Sequence, residues 1–131
     1  MKFFARLAPL LLCLALGACS DTATSVVCPG EVGPAVVVNV VDGLSGTSVT
    51  RQASGTWTSG TRSDSLRHVV QADSTVVLAA YGPPGVYQLR VIRPGHFDWV
   101  SGDVVVTEGR CGPARSLVTA TLTISSPMVI H

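Results

Sequence analysis

Val86-Tyr87-Gln88-Leu89-Arg90-Val91-Ile92 is the stretch whose reading decides the fold. Tyr87, Leu89 and Val91 take every second position, with Gln88 and Arg90 between them. Side chains alternate across a strand with a period of two, so the pattern describes a strand with one buried face. Gly82-Pro83-Pro84-Gly85 precedes it and Pro94-Gly95 follows, both turn-forming clusters. Working outward, residues 75–81 (TVVLAAY) and 66–71 are shorter apolar runs. Residues 49–58 alternate, with Val49, Ala53 and Trp57 on one face and Thr50, Gln52, Thr56 and Thr58 on the other. Residues 35–41 (AVVVNVV) are β-branched and bounded by Gly33-Pro34 and Asp42-Gly43. Downstream, residues 98–107 read as a long strand bent at Gly102, and residues 116–124 alternate again. These seven segments, with no amphipathic helix among them, predict an all-β fold: a seven-stranded antiparallel β-sandwich over residues 35–124.

The chain begins quite differently. Lys2 and Arg6 form a short positive region, residues 7–16 an apolar run interrupted by Pro9, and Leu16-Gly17-Ala18-Cys19 closes it. The run is too short to span a bilayer. The closing motif resembles a bacterial lipobox: small residues at the cut, then a cysteine whose thiolate takes a diacylglycerol by thioether. Residues 1–18 therefore read as a lipoprotein signal peptide, and Cys19 as the lipidated N-terminus of the mature chain, bearing acyl groups such as palmitate. Two chains give stable anchoring, each buried methylene adding about 0.8 kcal/mol. The expected location is the cell envelope, held by membrane lipid through acylated Cys19. Ser20 after the cysteine favours the outer membrane in a Gram-negative cell. Residues 19–34 then serve as lipidated cysteine and tether, and residues 125–131, broken by Pro127, as a tail.

Composition removes several function classes. The 131-residue chain allows one small domain. Losing Lys2 and Arg6 with the leader takes nine cations to seven, all arginine, against eight acids, a formal charge of −1. That is no basic surface for nucleic acid. Valines throughout the mature region exclude an acidic disordered chain. Cysteine usage is also informative. Cys13 leaves with the leader and Cys19 is acylated, which leaves Cys28 and Cys111 as the only free thiols in an oxidising compartment, and predicts a disulfide between them.

Three motifs carry a family resemblance. Asp42-Gly43-Leu44-Ser45-Gly46 resembles the Asp-x-x-Thr-Gly turn after the first strand of carboxypeptidase regulatory-like domains. Gly85-Val86-Tyr87-Gln88-Leu89-Arg90-Val91 with Gly95 resembles that family's Gly-x-Tyr-x-Leu-x-Val-x-x-x-Gly segment. Val104-Val105-Val106-Thr107-Glu108-Gly109 resembles its later Val-x-Val-x-x-Gly strand. Ser45 stands where Thr is common, and His96 separates Gly95 from the aromatic Phe97. The resemblance implies a transthyretin-like sandwich. It implies no catalytic residue, because its motif positions are turn glycines and apolar core residues.

The residues that bear chemistry are sparse. His96 and Asp98 form His-x-Asp on a loop, two ligands where a metal site needs more, so no metal or cofactor is expected. No Gly-x-Ser-x-Gly elbow occurs, and Asp42, Asp64, Asp98 and Asp103 all sit at turn signals. Trp57 reads as core, whereas Trp99 is open between core and a sugar-stacking platform. The expected loops, 59–65, 82–85 and 93–98, place Arg62, Asp64, His96 and Asp98, together with Trp99 just after the last loop, as the candidate partner-binding residues. The expected function is a non-catalytic binding or structural module facing an envelope protein or glycan. A carbohydrate- or peptidoglycan-binding module and a subunit of a surface assembly joined through a sheet edge are the alternatives.

Overall fold

The computed structural model describes residues 27–28 and 30–125. The leader, Cys19, the first part of the tether and all but Ser125 of the tail lie outside the described residues. The described chain is all-β: β1 (Val36–Asp42), β2 (Ser54–Ser59), β3 (Arg62–Ser65), β4 (Arg67–Val70), β5 (Val76–Ala80), β6 (Gly85–Ile92), β7 (Trp99–Val100), β8 (Val104–Val106), β9 (Glu108–Gly109), β10 (Gly112–Pro113) and β11 (Ser116–Leu122). One sheet has the order β11-β1-β5-β4, and the other β3-β2-β6-β7, with β8 also paired to β6. β9 and β10 form a small hairpin of their own.

The two sheets face each other across one core, in a sandwich-like arrangement. Val36, Val38, Val40, Leu78, Ala80, Ala120 and Leu122 come from the first sheet, and Trp57, Tyr87, Leu89, Val91 and Val106 from the second. The period of two in β6 is what places its three apolar residues inward. Their register neighbours follow, with Trp57 opposite Leu89 and Gly55 opposite Val91. Tyr87 is the largest fully buried side chain. Its ring lies 5.1 Å from that of Trp57, and its hydroxyl donates to the Pro83 carbonyl at 2.6 Å, pinning the preceding turn to the core. Burial pushes the Tyr87 phenol pKa upward, partly offset by Arg62. Gly82 has to lack a side chain here, since a carbon there would overlap the Tyr87 hydroxyl.

The differences from the expected strands have local causes. The stretch 49–58 breaks at a 3-10 turn, Thr50–Gln52, because the buried Thr50 hydroxyl accepts the Val40 N–H at 3.0 Å in place of a ladder partner. The expected loop 59–65 contains β3, a strand exposed along its whole length and therefore without an apolar signature. The stretch 98–107 splits into β7 and β8 where the Ser101 hydroxyl accepts the Leu89 N–H at 2.8 Å. The pairing is also not purely antiparallel: β1 and β11 run parallel over seven paired positions, from Val36–Ser116 to Asp42–Leu122. β11 reaches β1 after the chain has left β8 and passed through the small hairpin, so both strands start at the same end.

That end is closed by a disulfide between Cys28 and Cys111, whose Cα atoms lie 5.3 Å apart. The 81–84 loop, the start of β6 and the β9–β10 hairpin gather there. Gly112 lies against Val32, 2.8 Å from where a side-chain carbon would stand. The opposite end, about 20 Å away along β1, carries the turn after Asp42, the loop after β6 and the end of β11. Asp42 organises this turn. Its carboxylate accepts the Leu44 N–H at 2.8 Å, its carbonyl accepts the Gly46 N–H at 2.8 Å, and Gly46 takes φ +71°, which glycine adopts without steric cost.

Candidate functional site

The five candidate partner-binding residues do not form one cluster. Arg62 and Asp64 lie on β3, opposite Ser59 and Trp57. They reach the open margin between the sheets near the disulfide end. There they line a shallow depression of about 440 Å³ with Trp57 and Tyr81. The Arg67 guanidinium lies 5.3 Å from the Tyr81 ring centre.

His96, Asp98 and Trp99 belong to the opposite end and go three separate ways. Arg93 Nη1 and His96 Nε2 lie 3.1 Å apart, and His96 Nδ1 lies 3.0 Å from the Pro94 carbonyl. The Asp42 carboxylate lies 3.7 Å from Arg93 and 3.9 Å from His96. The Leu44 N–H above all holds the Asp42 carboxyl below its usual pKa, with help from Ser45, His96 and Arg93. His96, whose side chain is 9% exposed, thus joins the loop after β6 to the turn after β1. Asp98 turns outward to an ion pair with Arg90. Trp99 sits opposite Val91 and packs partly buried against the core. Trp99 is thus partly buried and lies beside the core residues, not among them. The more exposed aromatics are Phe97 and Tyr81, at 60% and 36%, which the sequence reading did not single out.

A concavity of about 640 Å³ opens on the outer face of the second sheet toward the end opposite the disulfide. Strand alternation builds it. Ser54 and Ile92 are register partners, as are Thr56 and Arg90, and Ser65 stands on the other side of Thr56. The Arg90–Asp98 pair lies along it. His68 and Leu66 contribute where the chain crosses from β3 to β4. His68 Nε2 contacts the Ala53 carbonyl at 2.8 Å and the Thr50 carbonyl at 3.1 Å. Two acceptors require Nε2 to be the donor, so in the neutral ring Nδ1 is left as an acceptor. The groove therefore offers three hydroxyls, one imidazole acceptor, a guanidinium and a carboxylate whose charges cancel, with Leu66 and Ile92 as apolar contacts. Such a set suits hydrogen bonding to a polar, uncharged surface such as a glycan or an extended peptide. His68 Nε2 is thus held by two backbone carbonyls. Among the described residues no three His, Cys, Asp or Glu side chains gather as metal ligands.

Of the groove residues, Asp98 alone was among the candidates. The outward positions of Thr56 and Arg90 follow from alternation, but their side-by-side pairing depends on strand order. No protein-family model matches the chain. No curated protein matches it either.

Proposed function

We propose that this chain is a lipid-anchored envelope protein whose β-sandwich, of the transthyretin-like, carboxypeptidase regulatory-like type, acts as a non-catalytic binding or structural module. The supporting observation is the polarity of the molecule. The N-terminal segment that follows Cys19 is pinned by the Cys28–Cys111 disulfide at one end, and the polar groove opens toward the other. A groove turned away from the anchor is placed to meet a partner across the envelope. The motif residues behind the family resemblance have structural tasks: Asp42 and Gly46 form a turn, while Tyr87, Leu89, Val91 and Val106 fill the core.

The groove's hydroxyls and neutralised ion pair favour a glycan or extended peptide strand as the partner. Edge-strand addition is less well supported. β3 carries Arg62 and Asp64, charges that discourage pairing, and Ser116 Oγ of β11 already donates to the Val105 carbonyl at 3.0 Å. Two measurements test the reading. Intact mass should show acyl chains on Cys19, and Cys19→Ala should move the domain to the soluble fraction. In cells, a photo-cross-linker at position 56 should trap a partner that one at position 119, on the other sheet, does not. Equal trapping at both positions refutes the groove, and an N-terminus without acyl mass refutes the anchor.

A further inference from the structure

Five aliphatic side chains stand exposed around the disulfide end: Val27, Val32, Val86, Val105 and Leu117, at 92, 58, 47, 61 and 76%. Their grouping follows from topology. Val86 and Val105 are cross-strand partners on the outer face of the second sheet. The Val105 carbonyl accepts a hydrogen bond from Ser116 Oγ, which holds the start of β11 beside β8, and Leu117, the next residue, projects from the outer face of the first sheet at the same end. Val32 lies against Gly112, and Val27 precedes the disulfide. Each of the three strand residues is within two positions of its strand's end, so together they rim one end of the sandwich. Arg62, Arg110 and Arg115 stand at the same end, offset by Glu31, Asp64 and Glu108. The charges cancel, and what distinguishes this end is apolar.

Nine positions separate Cys28 from Cys19. A chain of that length reaches at most about 30 Å. The disulfide fixes the tether's far end against Cys111, so the rim cannot drift farther off. At that distance its effective concentration at the anchoring surface is in the millimolar range, where weak partition suffices for contact. Exposed aliphatics on one short-tethered end meet the interfacial layer before they meet anything else.

We propose that the disulfide end is a lipid-contact surface. Val27, Val32, Val86, Val105 and Leu117 enter the interfacial layer of the membrane that holds the anchor, and the groove faces away. This rests on the reading of Cys19 as the lipid anchor.

The test uses the acylated protein in phosphatidylethanolamine–phosphatidylglycerol vesicles that contain a doxyl-lipid quencher. A fluorescent amino acid is placed at position 110, in the β9–β10 turn, or at position 56, in the groove. The expected result is quenching at 110 that exceeds that at 56 by roughly threefold or more, given a contact depth of about 5–10 Å. Val86→Ser, Val105→Ser and Leu117→Ser together, all at exposed positions, should bring position 110 down to the level of 56. The contact should survive about 0.5 M salt, which screens exposed charges. Equal quenching at both positions, with acyl mass intact, overturns the contact and leaves the anchor standing. Loss of quenching in salt assigns it to the arginines and overturns the aliphatic surface. Quenching only at high protein density, with cross-links between copies through position 110, assigns the patch to a second copy and overturns the proposal. Absence of acyl mass overturns the contact and the anchor together.

Discussion

Tyr87 and Gly82 should be energetically coupled, and the coupling can be sized from the geometry. Tyr87 is 0% exposed, and its hydroxyl bonds the Pro83 carbonyl at 2.6 Å. Tyr87→Phe removes that bond without emptying the core and should cost about 0.5–1.5 kcal/mol. Gly82→Ala adds a carbon that overlaps the Tyr87 hydroxyl and stands 3.2 Å from Trp57 Cη2. Gly82 is not at positive φ, so the penalty is steric, about 1–3 kcal/mol for forced repacking. Part of it is returned by the stiffer unfolded chain, about 0.4–1 kcal/mol. With phenylalanine at position 87 the overlapping oxygen is gone and only the Trp57 contact remains. The double variant should therefore be less destabilised than the sum of the singles by about 1 kcal/mol or more. Urea denaturation of the non-acylated mature domain, disulfide intact and followed by tryptophan fluorescence, measures all four corners of the cycle. Singles that add within about 0.5 kcal/mol refute the packing argument. A neutral Tyr87→Phe refutes the hydroxyl's role separately.

Other consequences can be checked on the same domain. Cys28→Ser with Cys111→Ser opens a crosslink spanning 83 positions and should cost about 4.5 kcal/mol in the chain-entropy view, while the wild type should show no free thiol from this pair. Burial raises the Tyr87 pKa, so its contribution is full below the unfolded value near 10 and is lost as pH rises through the folded value; the alkaline fall in stability should be smaller in Tyr87→Phe. The Asp42 pKa is lowered, so its contribution is present above the unfolded value of 3.8 and is lost as pH falls through the folded one. Acid denaturation curves of Asp42→Asn should accordingly be flatter below that pH. Asp98→Ala removes an exposed ion pair and should change stability by less than about 1 kcal/mol, yet reduce capture of any partner that occupies the groove. A large loss of stability would show the pair to be structural.

Much of the fold was legible because burial writes itself into alternation. Tyr87, Leu89 and Val91 point inward on a strand whose bounds follow from Gly85 and Pro94. Segments with no buried face left no such trace. β3 is Arg62-Ser63-Asp64-Ser65, exposed throughout, and a polar edge strand reads like a loop until its partner β2 is known. Thr50 was assigned outward by parity, but it turned inward because the Val40 N–H offered its hydroxyl a buried partner. The candidate site was less legible than the fold. His96 and Asp98 are two positions apart in sequence, yet one faces Asp42 and the other Arg90.

The amino-acid sequence by itself determined the all-β class, most of the strands, the inward face of β6 and the pairing of Cys28 with Cys111. Each of these depends on local period or on elimination among few residues. Only the tertiary structure decided the parallel join of β1 to β11, the partly buried seat of Trp99 and the division of the candidates between two ends. It also decided that Thr56, Ser65 and Arg90 stand side by side in one groove. Those facts depend on which strands become neighbours and in what register. That choice minimises the free energy of the whole chain, through contacts between residues far apart in sequence, and it leaves no periodic mark in any single segment.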